Sequence, residues 1–148
     1  ALLAISCPSS TDCTAVGEGP PRGLCDTVQL IEGWDGAEWS AQRTPSLGTC
    51  STAGAYYGST LAGVSGASTR ACAAVGSTRV ASEPGDPFVE RMRGRRWSVD
   101  SLAGLASPDV MNAVSCPAAS ACTAVGQLTS GAGVIRWDGR RWTVHEIP

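Results

Sequence analysis

One twelve-residue phrase is written three times in this chain. Residues 6–17 read SCPSSTDCTAVG, residues 65–76 read SGASTRACAAVG, and residues 115–126 read SCPAASACTAVG. A phrase returning at wide intervals marks a repeat architecture, in which each copy forms one supersecondary unit and neighbours bury what a single unit cannot. A second phrase follows each copy: VQLIEGWDGAEWSAQRTP, PFVERMRGRRWSVDSL and GVIRWDGRRWTVHEIP. The 148 residues therefore divide into repeat 1 (1–47), repeat 2 (48–109) and repeat 3 (110–148), together one domain or part of a larger one.

Each repeat reads as four short strands. The first is apolar and precedes the first cysteine, as in Leu2 to Ser6, and the second is the CTAVG segment. A loop rich in Gly, Pro and Ser leads to the third strand, VQLIEGW in repeat 1 and GVIRW in repeat 3. Asp-Gly then predicts a tight hairpin of type I′, whose two central residues need positive φ, and EWSA or RWTV returns as the fourth strand. Arg93-Gly94 in repeat 2 is a weaker version of that turn. The stretch 101–111, SLAGLASPDVM, is the nearest approach to a helix, but its glycine and proline favour a connection. Only 16% of residues are charged, while Gly (18) and Pro (9) are plentiful, which suits many strands joined by tight turns.

Seven cysteines are a high count for this length. Cys-x5-Cys occurs as Cys7/Cys13 and Cys116/Cys122, each between the first two strands of a repeat. Zinc sites prefer closer spacing and four ligands, and the only histidine is His145, so no metal or other cofactor is expected. Disulfides are the better reading, and with them an oxidising, extracellular or cell-surface location. The staples Cys7–Cys13 and Cys116–Cys122 each close a short loop, worth about 2 kcal/mol. In repeat 2 the first cysteine is replaced by Gly66, while an extra cysteine, Cys50, sits in an insertion reading GTCSTAGAYYGST. Cys50–Cys72 is the natural replacement pair, which leaves Cys25 free or bonded outside the chain.

The order of cysteine pair, Ala-Val-Gly, Trp-Asp-Gly and second tryptophan resembles a repeat of secreted actinobacterial proteins, propeller-like or kelch-like. The resemblance covers nearly the whole chain. Repeat 2 departs from it at Gly66 and at Met92-Arg93-Gly94. It implies all-β, four-stranded antiparallel β-propeller blades outside the cytoplasm, and no particular reaction. The competing fold is a β-trefoil, which also has three repeats of similar length. Propellers close with about four to eight blades. Three blades therefore should pair as two sets of three, stack, or belong to a longer protein, with apolar faces open at both ends of an isolated set. The chain opens at Ala1 without methionine, as a processed or partial chain does, and shows no signal peptide.

Candidate binding residues come from the hairpins and the insertion. All five tryptophans lie in the hairpins of strands three and four. Trp39, Trp97 and Trp142 are expected to pack between neighbouring repeats. Trp34 and Trp137, beside the turn, are the better placed for stacking on a sugar, although core packing is favoured for them too. Arg95 and Arg96, then Arg140 and Arg141, could converge on phosphate or carboxylate groups, or on the acidic hairpin of another copy, which carries Glu32, Asp35 and Glu38. Tyr56 and Tyr57 in the insertion resemble paratope chemistry, rigid aromatic area with few torsions to freeze.

These features favour a non-catalytic binding or scaffold module that recognises carbohydrate or protein at the cell surface. Two other readings stay open. One is a fragment of a glycan-degrading enzyme with carboxylates meeting from different blades. The other is a structural protein self-associating into a closed ring or larger assembly. No nucleophile elbow or phosphate loop is present, so catalysis finds little support. A net charge of −2 gives no general reason to expect nucleic acid, and no apolar run is long enough for membrane insertion as a helix.

Overall fold

The structure is a computed structural model that describes residues 1–48, 50, 58–68, 70–79, 85–102, 105, 108–128 and 131–147. Among these residues the chain is all β, with twelve strands in three separate four-stranded antiparallel sheets. Sheet 1 holds β1 (Leu2–Ser9), β2 (Asp12–Gly19), β3 (Val28–Trp34) and β4 (Trp39–Ala41). Sheet 2 holds β5 (Gly58–Ser68), β6 (Ala71–Arg79), β7 (Pro87–Arg93) and β8 (Arg96–Asp100). Sheet 3 holds β9 (Pro108–Ala118), β10 (Ala121–Leu128), β11 (Gly131–Trp137) and β12 (Trp142–Glu146). Each is a simple meander in which every strand pairs with its successor. β9 opens inside the stretch read as a connection, because proline is tolerated at the first position of a strand.

Ala-Val-Gly recurs for a steric reason. A Cβ on Gly17, Gly76 or Gly126 would run into the main-chain carbonyl of Ala1, Thr60 or Val110. The first strand of each sheet shifts register near this point, between Leu2 and Ala4, between Leu61 and Gly63, and opposite Val125 and Gly126. Such a bulge presses one backbone onto the next, and only glycine leaves room for it.

Alternation along the third strands shows how the sheets stack. β3 buries Gln29, Ile31 and Gly33 and leaves the alternate residues half-buried. β11 buries Gly133, Ile135 and Trp137, the opposite set once the repeats are aligned through their Trp-Asp-Gly turns. β7 buries Phe88, Val89 and Glu90 in succession. Sheet 2 is thus covered on both faces and sheets 1 and 3 on one each. We call the face turned to the preceding sheet leading and the other trailing.

Two cores follow. Val16 and Ile31 on the trailing face of sheet 1 meet Leu61, Val64, Phe88 and Trp97 on the leading face of sheet 2. Ala73, Val75 and Val89 on the trailing face of sheet 2 meet Met111, Ile135, Trp137 and Trp142 of sheet 3. The same two hydrogen bonds stitch both interfaces. The Ser6 hydroxyl accepts from the Gly66 N–H at 3.0 Å, and the Ser65 hydroxyl from the Cys116 N–H at 2.9 Å. The Trp97 indole donates to Gln42 at 2.6 Å, and the Trp142 indole to Asp100 at 2.8 Å. Trp39, expected to pack between repeats like the other two, is instead 45% exposed, because no sheet covers the leading face of sheet 1.

The disulfides are Cys7–Cys13, Cys116–Cys122 and Cys25–Cys50. The third corrects the Cys50–Cys72 expectation. Cys25 follows β2, and Thr27, two residues on, bridges Gly58 at the start of β5, so Cys25 and the chain entering β5 share one end of the molecule. Cys72 pairs with Gly66, eight residues along β5, roughly 25 Å from that end. Its thiol is buried and free, and burial raises its pKa. It occupies the space beside Gly66, where a Cβ would lie 2.8 Å from the Cys72 Sγ and 3.0 Å from Pro8.

Candidate binding clefts at the turn rim

The β1–β2 and β3–β4 turns of a sheet lie at one end, forming a rim. The Trp34 indole donates to the Ser10 carbonyl across them at 3.3 Å, and in sheet 3 the Gly139 turn lies against Ser120. The hairpin turns differ from the expected type I′. Gly36, Gly94 and Gly139 have φ of 97°, 69° and 94°, and no other described residue type has positive φ. Glycine is therefore the first central residue, as in a II′ loop, and aspartate stands at the corner before it. Asp35 accepts from the N–H groups of Ala37 and Glu38 at 2.8 and 2.9 Å, and Asp138 does the same for Arg140 and Arg141. These backbone bonds hold both carboxyls below the usual range. Sheet 2 has Arg93 at the corner, and its ladder simply closes one pair further, Arg93 opposite Arg96. All three hairpins make the same glycine-first turn, so the Arg93-Gly94 version is not the looser one.

Between successive sheets the rim opens into clefts at matching places. The first, of about 790 Å³, lies between the segment after β4 and the β7–β8 hairpin. Trp97 and Met92 line it with Gln42 and Thr44, and Arg43, Arg70, Arg95 and Arg96 surround it. All four arginines are exposed, and none forms a salt bridge among the described residues. The second cleft, of about 620 Å³, lies between sheets 2 and 3, with Trp142 and Trp137 below Arg140 and Arg141. Here Asp100 answers part of the positive charge by binding Arg91 and Arg93. Burial pushes the Asp100 carboxyl up, but hydrogen bonds from Arg91, Trp142 and Arg93 outweigh it and leave the pKa lowered.

The structure thus brings Arg95 and Arg96 together over one cleft and Arg140 and Arg141 over the other. Trp137 is buried, with the Arg91 guanidinium 3.5 Å above its ring, so it offers no platform for a sugar. Trp34 is half-buried, tilted against Trp39 with centroids 5.7 Å apart. Tyr56 and Tyr57 lie outside the described residues. Arg43 and Arg70 escaped the sequence reading because they come from a different repeat and a different turn, and only the stacking of sheet 2 on sheet 1 brings them to this cleft.

Among the described residues two carboxylates are buried, Glu90 and Asp100, and they do not form a pair. Glu90 faces sheet 1, where its Oε1 accepts from Gln29 at 3.3 Å, whereas Asp100 faces sheet 3. Gln29 also bonds the Pro45 carbonyl at 2.7 Å and, with Ser59, completes a buried polar knot. Desolvation pushes the Glu90 pKa up to about 7. The side chain is fully enclosed, so this acid reaches no cleft. Among the described residues no three His, Cys, Asp or Glu side chains cluster as metal ligands would, and no helix is long and apolar enough to cross a membrane. Three disulfides are compatible with an extracellular location.

No protein-family description matches this chain, and no curated protein matches it. The clefts and their charges carry the functional reading.

Proposed function

We propose that the three sheets are propeller blades of the secreted type the repeats resemble, and that the chain is a non-catalytic extracellular module binding an anionic surface polymer along its turn rim. One observation carries this reading. Arg43, Arg70, Arg95 and Arg96 line a single open cleft, and none of them meets a carboxylate among the described residues. Guanidinium groups lining one cleft repel one another, and an anionic ligand relieves that repulsion. The cleft has the size of ligand sites in general, with an apolar floor and polar Gln42 and Thr44 to orient a bound group. A second basic cleft at the matching place suits a chain molecule with repeated charges better than a single small ligand.

Titration with polygalacturonate, polyphosphate and neutral dextran tests the reading and separates carboxylate from phosphate recognition. Binding to an acidic polymer should weaken with salt, and Arg95→Ala or Arg96→Ala should each reduce it ~10-fold or more, the effect of one charged hydrogen bond. Equal binding to dextran, or acidic-polymer binding untouched by both variants, would sink it.

A further inference from the structure

The stacking interface occurs twice inside the chain, and its two halves are each left over once. At the first-strand position, Leu61 and Met111 are fully buried while Leu2 is 53% exposed. At the next leading position Val64 is buried and Ile5 is 58% exposed. Trp97 and Trp142 are buried, whereas Trp39 is 45% exposed. The trailing faces show the converse: Val16 and Val75 are fully buried, and Val125 is 43% exposed. The hydrogen-bonding partners recur too. Ser115 stands where Ser6 and Ser65 accept their inter-sheet bonds, and His145 stands opposite Val134 as Asp100 stands opposite Val89. Ser115 and His145 are both exposed.

We propose that the leading face of sheet 1 docks on the trailing face of sheet 3 in a second copy of this chain. In that joint Leu2 and Ile5 cover Val125, the Trp39 indole donates to His145, and the Ser115 hydroxyl accepts the Cys7 N–H. The occupant is argued from continuity: this is the contact the chain already makes twice, with the same residue types at the same places. The joint lies on the sheet faces and not between the acidic and basic hairpins. The inference rests on the blade reading above. Two copies of these residues bring six sheets together, within the four to eight of closed propellers. Two copies joined head to tail at both ends leave no apolar face open.

Light scattering on the 148-residue chain tests this. The expected mass is twice 15.1 kDa. Val125→Glu places a charge that is exposed in one copy and buried in the joint, and should raise the dissociation constant ~100-fold. Trp39→Ala should weaken the pair as well, and His145→Gln, which restores the Gln42 arrangement, should keep it. Circular dichroism of Val125→Glu should match the parent, since the side chain is exposed within its own chain. A parent that stays monomeric overturns the proposal, as does a pair indifferent to Val125→Glu, or a mass that climbs without limit. Polymer binding measured on Val125→Glu separates the two readings: the clefts lie within one copy, so they keep their affinity if only the joint fails.

Discussion

Glu90→Gln should make the protein more stable at alkaline pH and remove most of its pH dependence near neutrality. Glu90 is sealed between sheets 1 and 2, with one oxygen on Gln29 and the other, Oε2, without a partner. Burial raises its pKa from 4.5 to about 7. The sign follows from which state holds the proton. Below 4.5 both folded and unfolded chains are protonated and the contribution is fully present. Between 4.5 and 7 only the unfolded chain releases its proton, so stability falls by about 1.4 kcal/mol for each pH unit. Above 7 the loss is complete, at about 3 kcal/mol. The lowered pKa values of Asp35, Asp100 and Asp138 act in the other direction and at more acid pH, so the neutral window belongs to Glu90. Glutamine keeps the shape and the bond from Gln29 but never ionises. Urea unfolding at about pH 5, 7 and 8.5, with disulfides intact and at one protein concentration, gives the comparison. The parent should lose about 2.5 kcal/mol across the series, part of the loss having occurred below pH 5, and the variant little. At pH 8.5 the variant should be the more stable, less about 1 kcal/mol for an amide N–H₂ that finds no acceptor. A flat parent profile, or a variant destabilised equally at every pH, would refute the reasoning.

Gly66→Cys should form a third staple with Cys72, since the two positions pair as Cys7 and Cys13 do around the same turn; peptide mapping without reductant should find the 66–72 bond and a higher midpoint of unfolding. Gly76→Ala should cost about 3 kcal/mol or more, because its methyl must displace the Thr60 carbonyl from a bulge that the whole sheet holds in place; denaturant melts on the parent and variant measure it, and a loss under 1 kcal/mol would mean that the bulge yields.

The repeats made the meanders legible. Cys-x5-Cys, Ala-Val-Gly and Trp-Asp-Gly each mark a place where the chain turns or two strands press together, and local chemistry suffices there. The pairing of Cys25 with Cys50 was not legible, because it depends on which ends of β2 and β5 come together, and Thr27 bridging Gly58 is a contact between repeats. Turn chemistry misled at Asp35 and Asp138, where the carboxyl serves the corner and glycine alone takes positive φ. Within the candidate site, Arg95 and Arg96 could be read from the hairpin. Arg43 and Arg70 could not, since only the stacking of sheet 2 on sheet 1 brings them to the same cleft. The difference between Trp39 and its counterparts Trp97 and Trp142 likewise belongs to stacking order, which identical motifs conceal.

The bond from each sheet to the next is donated by a main-chain N–H at the staple position, Gly66 in one case and Cys116 in the other. Every residue but proline carries that donor. Docking of one unit on its neighbour is therefore independent of whether the docked unit is closed by a disulfide. A duplicated copy can shed its first cysteine in a single codon change and still take its place in the row, as Gly66 does, while its second cysteine survives as a space-filling thiol. The bond itself bars only proline, which would break the joint as well as the staple; bulk at the site is limited separately, by Cys72 and Pro8 packed beside Gly66.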